Sequence, residues 1–197
     1  MLLNWTEDKG DPYHKVEYRY EVKQYEIQTL DYEEYTQKFE ELTSNETNCF
    51  SIHFPLSFYL WRICKITDPI FLELLSGKYY NNEYSDFESI TDFNENPEDI
   101  EIDFATPLLV YSSYPFQMAV EIKIFPLRET AIRRQGESIP YNLYTPGYII
   151  WQISLAYEGI YKNKWKEVGV WGHEFADLAF GSIKLYPGNI IKVNLES

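Results

Sequence analysis

The chain is poor in the residue types on which most catalytic and metal centres depend. Its 197 residues include two cysteines, three histidines and two methionines, and its 17 lysines and arginines face 31 acidic residues. Because His14, His53 and His173 lie far apart and no cysteine pair has zinc-ligand spacing, the sequence predicts no ordinary zinc centre. Phosphate-binding glycine loops and a nucleophile elbow are missing as well. We therefore expect no cofactor and none of the common nucleotide-binding or serine-hydrolase chemistries.

Further absences concern membranes and secretion. No apolar run reaches the roughly 18 residues that indicate a transmembrane helix. The opening MLLNWTEDKGD has no basic region followed by an apolar core, so we expect no signal peptide and a cytoplasmic location. Cys49 and Cys64 are then expected as reduced, buried thiols. Cys49 and His53 would lie roughly 13 Å apart along a strand, too far for a catalytic pair.

Aromatic and aliphatic residues are abundant. Hydrophobic residues make up 45% of the chain, with 18 tyrosines, 12 phenylalanines and five tryptophans. This content supports a sizeable core, and the absence of a low-complexity linker predicts one domain over residues 1–197. Tyrosine combines apolar area with a polar tip, so it suits half-buried sheet faces and binding surfaces alike.

Three stretches have helical character. Apolar residues at positions 149, 150, 153, 156, 157, 160 and 161 form one stripe, and Thr145 with Pro146 suits a helix start, which predicts a long amphipathic helix over 146–162. Asp31 and Glu34 resemble a capping box that opens a helix over 31–43. Asp68-Pro69 and Gly77 bracket a shorter helix over 69–76.

The remaining segments favour strands joined by turns. We predict strands over the alternating residues 13–27 and over 100–104, 108–112 and 117–125. Within residues 49–66, Pro55 indicates either two β segments or one strand with an edge kink. A closing hairpin is predicted over 178–186 and 190–195, with Pro187-Gly188 at its turn. Residues 79–96 and 126–144 are predicted as long loops. The predicted fold class is α+β, with a mainly antiparallel sheet packed against the long helix.

The net charge of −14 is unevenly spread along the chain. Residues 78–127 carry ten acids and two bases, whereas residues 128–197 carry seven acids and eight bases. A strongly negative surface repels nucleic acid and anionic membranes, and it accelerates encounter with basic partners. We expect neither nucleic acid nor a membrane as partner. Solubility alone is the alternative explanation of the charge.

The acidic bias peaks in residues 79–104, YYNNEYSDFESITDFNENPEDIEIDF, which hold nine acids and no base. Aromatic side chains supply desolvated anchors while carboxylates steer and pair with cations, so this composition is typical of a surface that binds a basic protein. We hypothesise a non-enzymatic inhibitor of the immunity type, with a basic partner such as a bacterial toxin. A plain solvated loop is the alternative. The predicted partner-binding residues are Tyr79, Tyr80, Glu83, Tyr84, Asp86, Phe87, Glu88, Asp92, Phe93, Glu95, Glu98 and Asp99.

An enzymatic alternative rests on Pro97-Glu98 followed by Glu121-Ile122-Lys123. This outline resembles the PD-(D/E)xK nucleases, and the resemblance implies that Glu98 and Glu121 hold Mg²⁺ while Lys123 orients water or stabilises charge in a metal-dependent phosphodiesterase. The same E-x-K triplet occurs at Glu7 and at Glu21. Exposed strand charges are therefore the alternative explanation of the pattern.

Three smaller clusters leave alternatives open. His173 and Asp177 would share one face of a helix as metal ligands, or they belong to a turn that packs against Trp171. The arginines at 128, 133 and 134 suit a small anion or an acidic partner, or they pair with nearby acids. Exposed aromatics would suit a small-molecule or carbohydrate-binding domain, and equally a core; they include Trp5, Trp165 and Trp171.

Overall fold

The computed structural model describes residues 2–7, 16–43, 49–54, 58–64, 102–113, 118–133, 136–137, 141–144, 146–163 and 174–196. Within these ranges the strands are β1 (Leu2–Glu7), β2 (Val16–Glu21), β3 (Glu26–Asp31), β4 (Phe50–His53), β5 (Leu108–Ser113), β6 (Met118–Ile124), β7 (Leu127–Arg133), β8 (Gly136–Glu137), β9 (Tyr141–Leu143), β10 (Ala179–Tyr186) and β11 (Ile190–Glu196). The α-helices are α1 (Tyr32–Thr43), α2 (Leu60–Cys64) and α3 (Pro146–Asn163), with a 3₁₀ turn at Phe175–Asp177. The predicted α+β class is confirmed.

The strands form two sheets. The larger has the order β3-β6-β5-β11-β10-β4 and is antiparallel except for the parallel pair of β5 and β11. The smaller has the order β1-β2-β7, and both β8 and β9 pair with β7. The closing hairpin of β10 and β11 matches its prediction and contributes the centre of the larger sheet.

One long ribbon joins the two sheets. Residues 16–21 pair with 128–133 in the smaller sheet, and residues 26–31 pair with 118–123 in the same continuous register in the larger sheet. The ladder is interrupted at Pro126, which has no N–H to donate. The predicted strand over 13–27 is confirmed over 16–21 but wrong in its extent, because β2 ends at Glu21 and residues 26 and 27 belong to β3 in the other sheet.

Two tyrosine hydroxyls contact backbone carbonyls at the bend, where β6 ends. The Tyr148 hydroxyl donates to the Phe125 carbonyl at 3.0 Å, and the Tyr144 hydroxyl lies 3.1 Å from the Ile124 carbonyl. Buried carbonyls without a partner are unfavourable by roughly 1–3 kcal/mol each. Part of the large tyrosine content thus stabilises the passage between the sheets.

Helix α3 lies in the main core. The predicted stripe is buried from Ile149 to Ile160 and half-buried at Tyr161, and residues 147–154 are buried on every side of the helix, including Gln152 and Ser154. Ser154 donates its hydroxyl hydrogen bond to the Ile150 carbonyl at 2.9 Å, so this buried polar group is satisfied. The predicted helix over 146–162 is confirmed, with its end one residue later at Asn163.

Helix α1 packs on the opposite face of the larger sheet. Successive residues of a strand point to opposite faces, so Val110 belongs to the main core while Tyr111 belongs to a second cluster beneath α1. The side chain of Asp31 accepts a hydrogen bond from the Glu34 N–H at 2.8 Å. The predicted helix over 31–43 is confirmed and begins at Tyr32.

Two sequence predictions differ from the described structure, and two others are not tested by it. The second β segment within 49–66 is instead helix α2, because Leu60 and Ile63 bury one helical face and Tyr59 makes only an isolated bridge to Ala179. Residues 102–104 of the predicted strand 100–104 belong to an irregular segment and turn that continue to residue 106. The predicted helix 69–76 and the predicted loop 79–96 lie outside the described residues.

The predicted loop over 126–144 is wrong. It contains β7, β8 and β9 of the smaller sheet. Strand β7 alternates between faces, with Leu127 and Glu129 buried and Arg128 exposed. The polar run Arg128, Glu129 and Thr130 makes this alternation unrecognisable from the sequence. Strand β7 is stabilised, despite its polar composition, by pairing with β2, which is distant in sequence, and with β9, whose sequence pattern is weak.

Candidate functional site

The outward face of α1 is acidic. Glu33, Glu34 and Glu40 are exposed, and the helix has no base in its last turn. Its only lysine, Lys38, turns toward the sheet and pairs with Glu121 at 2.6 Å. The solvent side of α1 therefore carries carboxylates without a cation of its own.

Apolar side chains lie beside these carboxylates. Tyr32 is 55% exposed at the start of α1, and Leu42 is 39% exposed near its end. The Tyr32 ring stacks on buried Tyr35, with the two centroids 6.1 Å apart. The outer side of the helix also lines an open depression, formed by Tyr32, Glu33, Thr36, Gln37, Glu40 and Glu41. A fixed, exposed aromatic ring among carboxylates is a suitable anchor for a protein partner.

The charge order along α1 is unfavourable at its C-terminal end. Glu33 and Glu34 complement the positive end of the helix dipole, but Glu40 lies in the last turn, where an anion costs about 0.3–1 kcal/mol. A charge retained against local stability points to a requirement other than folding. The pattern of YEEYTQKFEELT predicts a helix, and the acids on its outward positions are the local signal for this surface.

The predicted partner-binding segment is represented by its end alone. Every predicted binding residue from Tyr79 to Asp99 lies outside the described residues. At the described end, Ile102 packs against the main core, Asp103 accepts hydrogen bonds from the Ala105 N–H and the Thr106 hydroxyl, and Phe104 is 47% exposed. The segment's end is thus fixed to the fold while Phe104 remains on the surface.

The residues of the enzymatic alternative have other partners in the described structure. Glu121 accepts a hydrogen bond from the Tyr111 hydroxyl at 2.6 Å and pairs with Lys38. Lys123 pairs with Glu26 at 3.4 Å, and Glu98 lies outside the described residues. The pKa of Tyr111 is raised by burial and by its bond to Glu121, so its hydroxyl stays a donor to the carboxylate. This arrangement ties Glu121 to α1 and to the sheet.

The metal alternative is likewise incomplete in the described part of the chain. Asp177 accepts a hydrogen bond from the Glu174 N–H at 2.9 Å within a capping box of the 3₁₀ turn, and His173 lies outside the described residues. Among the residues whose positions are described, no group of three or more His, Cys, Asp or Glu side chains could hold a metal ion. Cys49 and Cys64 are both free thiols.

The predicted arginine cluster and the predicted exposed tryptophans lie only partly within the described residues. Arg128 lies 3.8 Å from Glu21 on the neighbouring strand, which is the local pairing considered above. Arg133 contributes its backbone to β7, and Arg134 is not among the described residues. Trp5 contributes its backbone to β1, while Trp165 and Trp171 also lie outside the described ranges.

Comparison with protein-family models, curated proteins and solved structures finds no significant match to this chain. Function is therefore inferred from the residues themselves. In the described ranges, no helix combines the length and the apolar character that crossing a bilayer requires.

Proposed function

We propose that this protein is a cytoplasmic, non-enzymatic binding protein of the immunity type, which neutralises a basic protein partner such as a bacterial toxin. The observation that carries the proposal is the outward face of α1. It combines exposed carboxylates with the exposed Tyr32 ring, and its only lysine is directed away to Glu121.

Electrostatics assigns different roles to the two kinds of side chain. A net charge of −14 attracts a basic protein over a distance set by ionic strength, which raises the association rate. Tyr32 and Leu42 then supply apolar area that is desolvated on contact, which lowers the dissociation rate. The acidic segment 79–104, whose Phe104 is exposed, is proposed to extend the same surface.

Affinity capture from the native host, at low and at high salt, tests the proposal. We expect a stoichiometric basic protein that is lost as salt rises. Stopped-flow measurements with that purified partner should show association slowed on the order of tenfold in a Glu33→Gln, Glu40→Gln variant, with dissociation little changed. Tyr32→Ala should chiefly accelerate dissociation. An association rate insensitive both to salt and to these glutamates would contradict the proposed role of α1.

A further inference from the structure

Two lysines face each other on the larger sheet. Lys184 of β10 lies directly opposite Lys192 of β11, and Ser51 of β4 lies opposite Lys184 on the other side. Directly opposite residues share a sheet face, with their Cβ atoms roughly 4.5–5.5 Å apart. Both lysines are half-buried, and both lie on the sheet face that also carries α1.

The described structure does not neutralise this pair. Lys192 Nζ lies 4.9 Å from the centroid of the Phe39 ring, which fixes its position without adding a negative charge. Lys184 makes no ion pair among the described residues, whereas Lys38, Lys123 and Lys162 each pair with a glutamate. Like charges directly opposite on neighbouring strands are destabilising. The arrangement is unexpected in a chain that has 31 acids.

Further polar side chains lie on the same face of the sheet. One step further along the strands, His53 is exposed and lies opposite Ser182, and Asn194 donates to the Ser182 hydroxyl at 2.9 Å. Two carboxylates on this face have other positions or partners. Glu121 is bound by Lys38 and Tyr111. Glu196 lies beside Gly181, four residues beyond Lys192 along β11.

We infer that Lys184, Lys192 and His53 form a binding site for a phosphate dianion, such as the phosphoryl group of a small phosphomonoester. A dianion neutralises both ammonium groups at once, whereas a single carboxylate neutralises one. Charge-assisted hydrogen bonds from lysine, together with a histidine N–H donor, suit phosphate oxygens. The net charge of −14 disfavours long polyanions, so a small ligand fits better than nucleic acid. The site is separate from the outward face of α1 and does not depend on the proposed function.

Titration with inorganic phosphate, followed by NMR of the lysine side chains, tests the inference. We expect saturable shifts at Lys184 and Lys192, at least a tenfold weaker affinity in Lys184→Gln, and an unchanged affinity in the control Lys162→Gln, whose lysine pairs with Glu158. Acetate at matched ionic strength should give much weaker binding. Equal binding of acetate would overturn the assignment to a dianion. Shifts that do not saturate, or that are equal at Lys162, would mean an adventitious ion only and would overturn the site.

A stability measurement checks the premise independently. In low-salt buffer without phosphate, Lys184→Gln should unfold at a higher urea concentration than the wild type, because the repulsion is removed. Added phosphate should raise the wild-type midpoint more than that of Lys184→Gln. A lower or unchanged midpoint in Lys184→Gln without phosphate would show that the pair is not repulsive and would overturn the inference. Glu33→Gln should leave the phosphate titration unchanged, which separates this site from the α1 surface.

Discussion

Asn189 and Asp103 are joined by two reciprocal hydrogen bonds although 86 residues separate them. The Asp103 N–H donates to Asn189 Oδ1 at 2.8 Å, and Asn189 Nδ2 donates to the Asp103 carbonyl at 2.7 Å. Asn189 is buried in the β10–β11 turn with a left-handed φ of 62°, a conformation that asparagine tolerates better than most residues. The turn of the closing hairpin therefore fixes the end of the acidic segment 79–104.

Replacing Asn189 should separate its backbone role from its side-chain role. Asn189→Ala removes the hydrogen bonds of the side-chain amide, which lowers the free energy of unfolding by roughly 1–3 kcal/mol. It also adds backbone strain of about 1–2 kcal/mol at the left-handed position. Asn189→Gly removes the same bonds but relieves the strain, so it should be more stable than Asn189→Ala by about 1 kcal/mol. Urea denaturation of the three proteins measures this. Equal stability of the two variants would show that the left-handed backbone is not strained.

Gly159 should show coupling with Tyr25. A Cβ on Gly159 would lie 3.2 Å from the Tyr25 hydroxyl oxygen, which donates to the Leu155 carbonyl at 3.0 Å. Alanine is favoured over glycine within a helix by about 1 kcal/mol. Gly159→Ala should therefore stabilise a Tyr25→Phe protein by about that amount. When Gly159→Ala is made in the wild type, its stabilisation should be smaller by about 0.5–1.5 kcal/mol, because the new Cβ displaces the Tyr25 hydroxyl from its hydrogen bond. A double-mutant cycle measures the difference, and strictly additive effects would contradict the contact.

The two ends of α1 should respond to charge removal with opposite signs. Glu40→Gln removes an anion from the negative end of the helix dipole and should stabilise the protein by about 0.3–1 kcal/mol. Glu33→Gln removes an anion from the positive end and should destabilise it by a similar amount. Both variants should slow association with a basic partner. Chemical denaturation supplies the first comparison and stopped-flow kinetics the second. If both substitutions change the free energy of unfolding in the same direction, the α1 helix dipole does not explain the destabilisation by Glu40.

Stability should fall at alkaline pH. Burial raises the pKa of the Tyr144, Tyr148 and Tyr157 hydroxyls, and burial with the Glu121 hydrogen bond raises that of Tyr111. Above the ordinary tyrosine pKa of about 10 the unfolded chain releases these protons first, so the free energy of unfolding decreases as pH rises toward the folded-state pKa values. Urea midpoints at pH 8, 10 and 11 should decrease in that order.

The control for the alkaline prediction is Tyr157→Phe. Tyr157 donates its hydroxyl hydrogen bond to Ser112, so the variant should be less stable at pH 8. The variant should also lose less stability between pH 8 and pH 11, since it lacks one of the hydroxyls whose pKa is raised in the folded state. An unchanged midpoint across this range in the wild type would show that the buried tyrosines ionise as freely as in the unfolded chain.

Several elements were predictable because their signals are local. The stripe of α3, the Asp31 cap of α1 and the Pro187-Gly188 turn each depend on residues within a few positions of one another. Strand β7 gave no such signal, since Arg128, Glu129 and Thr130 interrupt the apolar pattern. Its pairing with β2, more than a hundred residues earlier, decides its conformation. The acids of α1 are a local signal too, but only packing reveals that Tyr32 and Leu42 stay exposed beside them while Lys38 turns inward.

The sequence by itself determined the α+β class, the long helix and the excess of negative charge, because composition and short-range periodicity fix these properties. Only the tertiary structure decided that the ribbon of residues 16–31 and 118–133 bends into two sheets, and that Lys38 turns inward to Glu121. It also decided that Lys184 and Lys192 face each other on the side of the sheet that carries Phe39. These relationships depend on strand register and on contacts between distant segments, and neither leaves a repeating pattern in the local sequence.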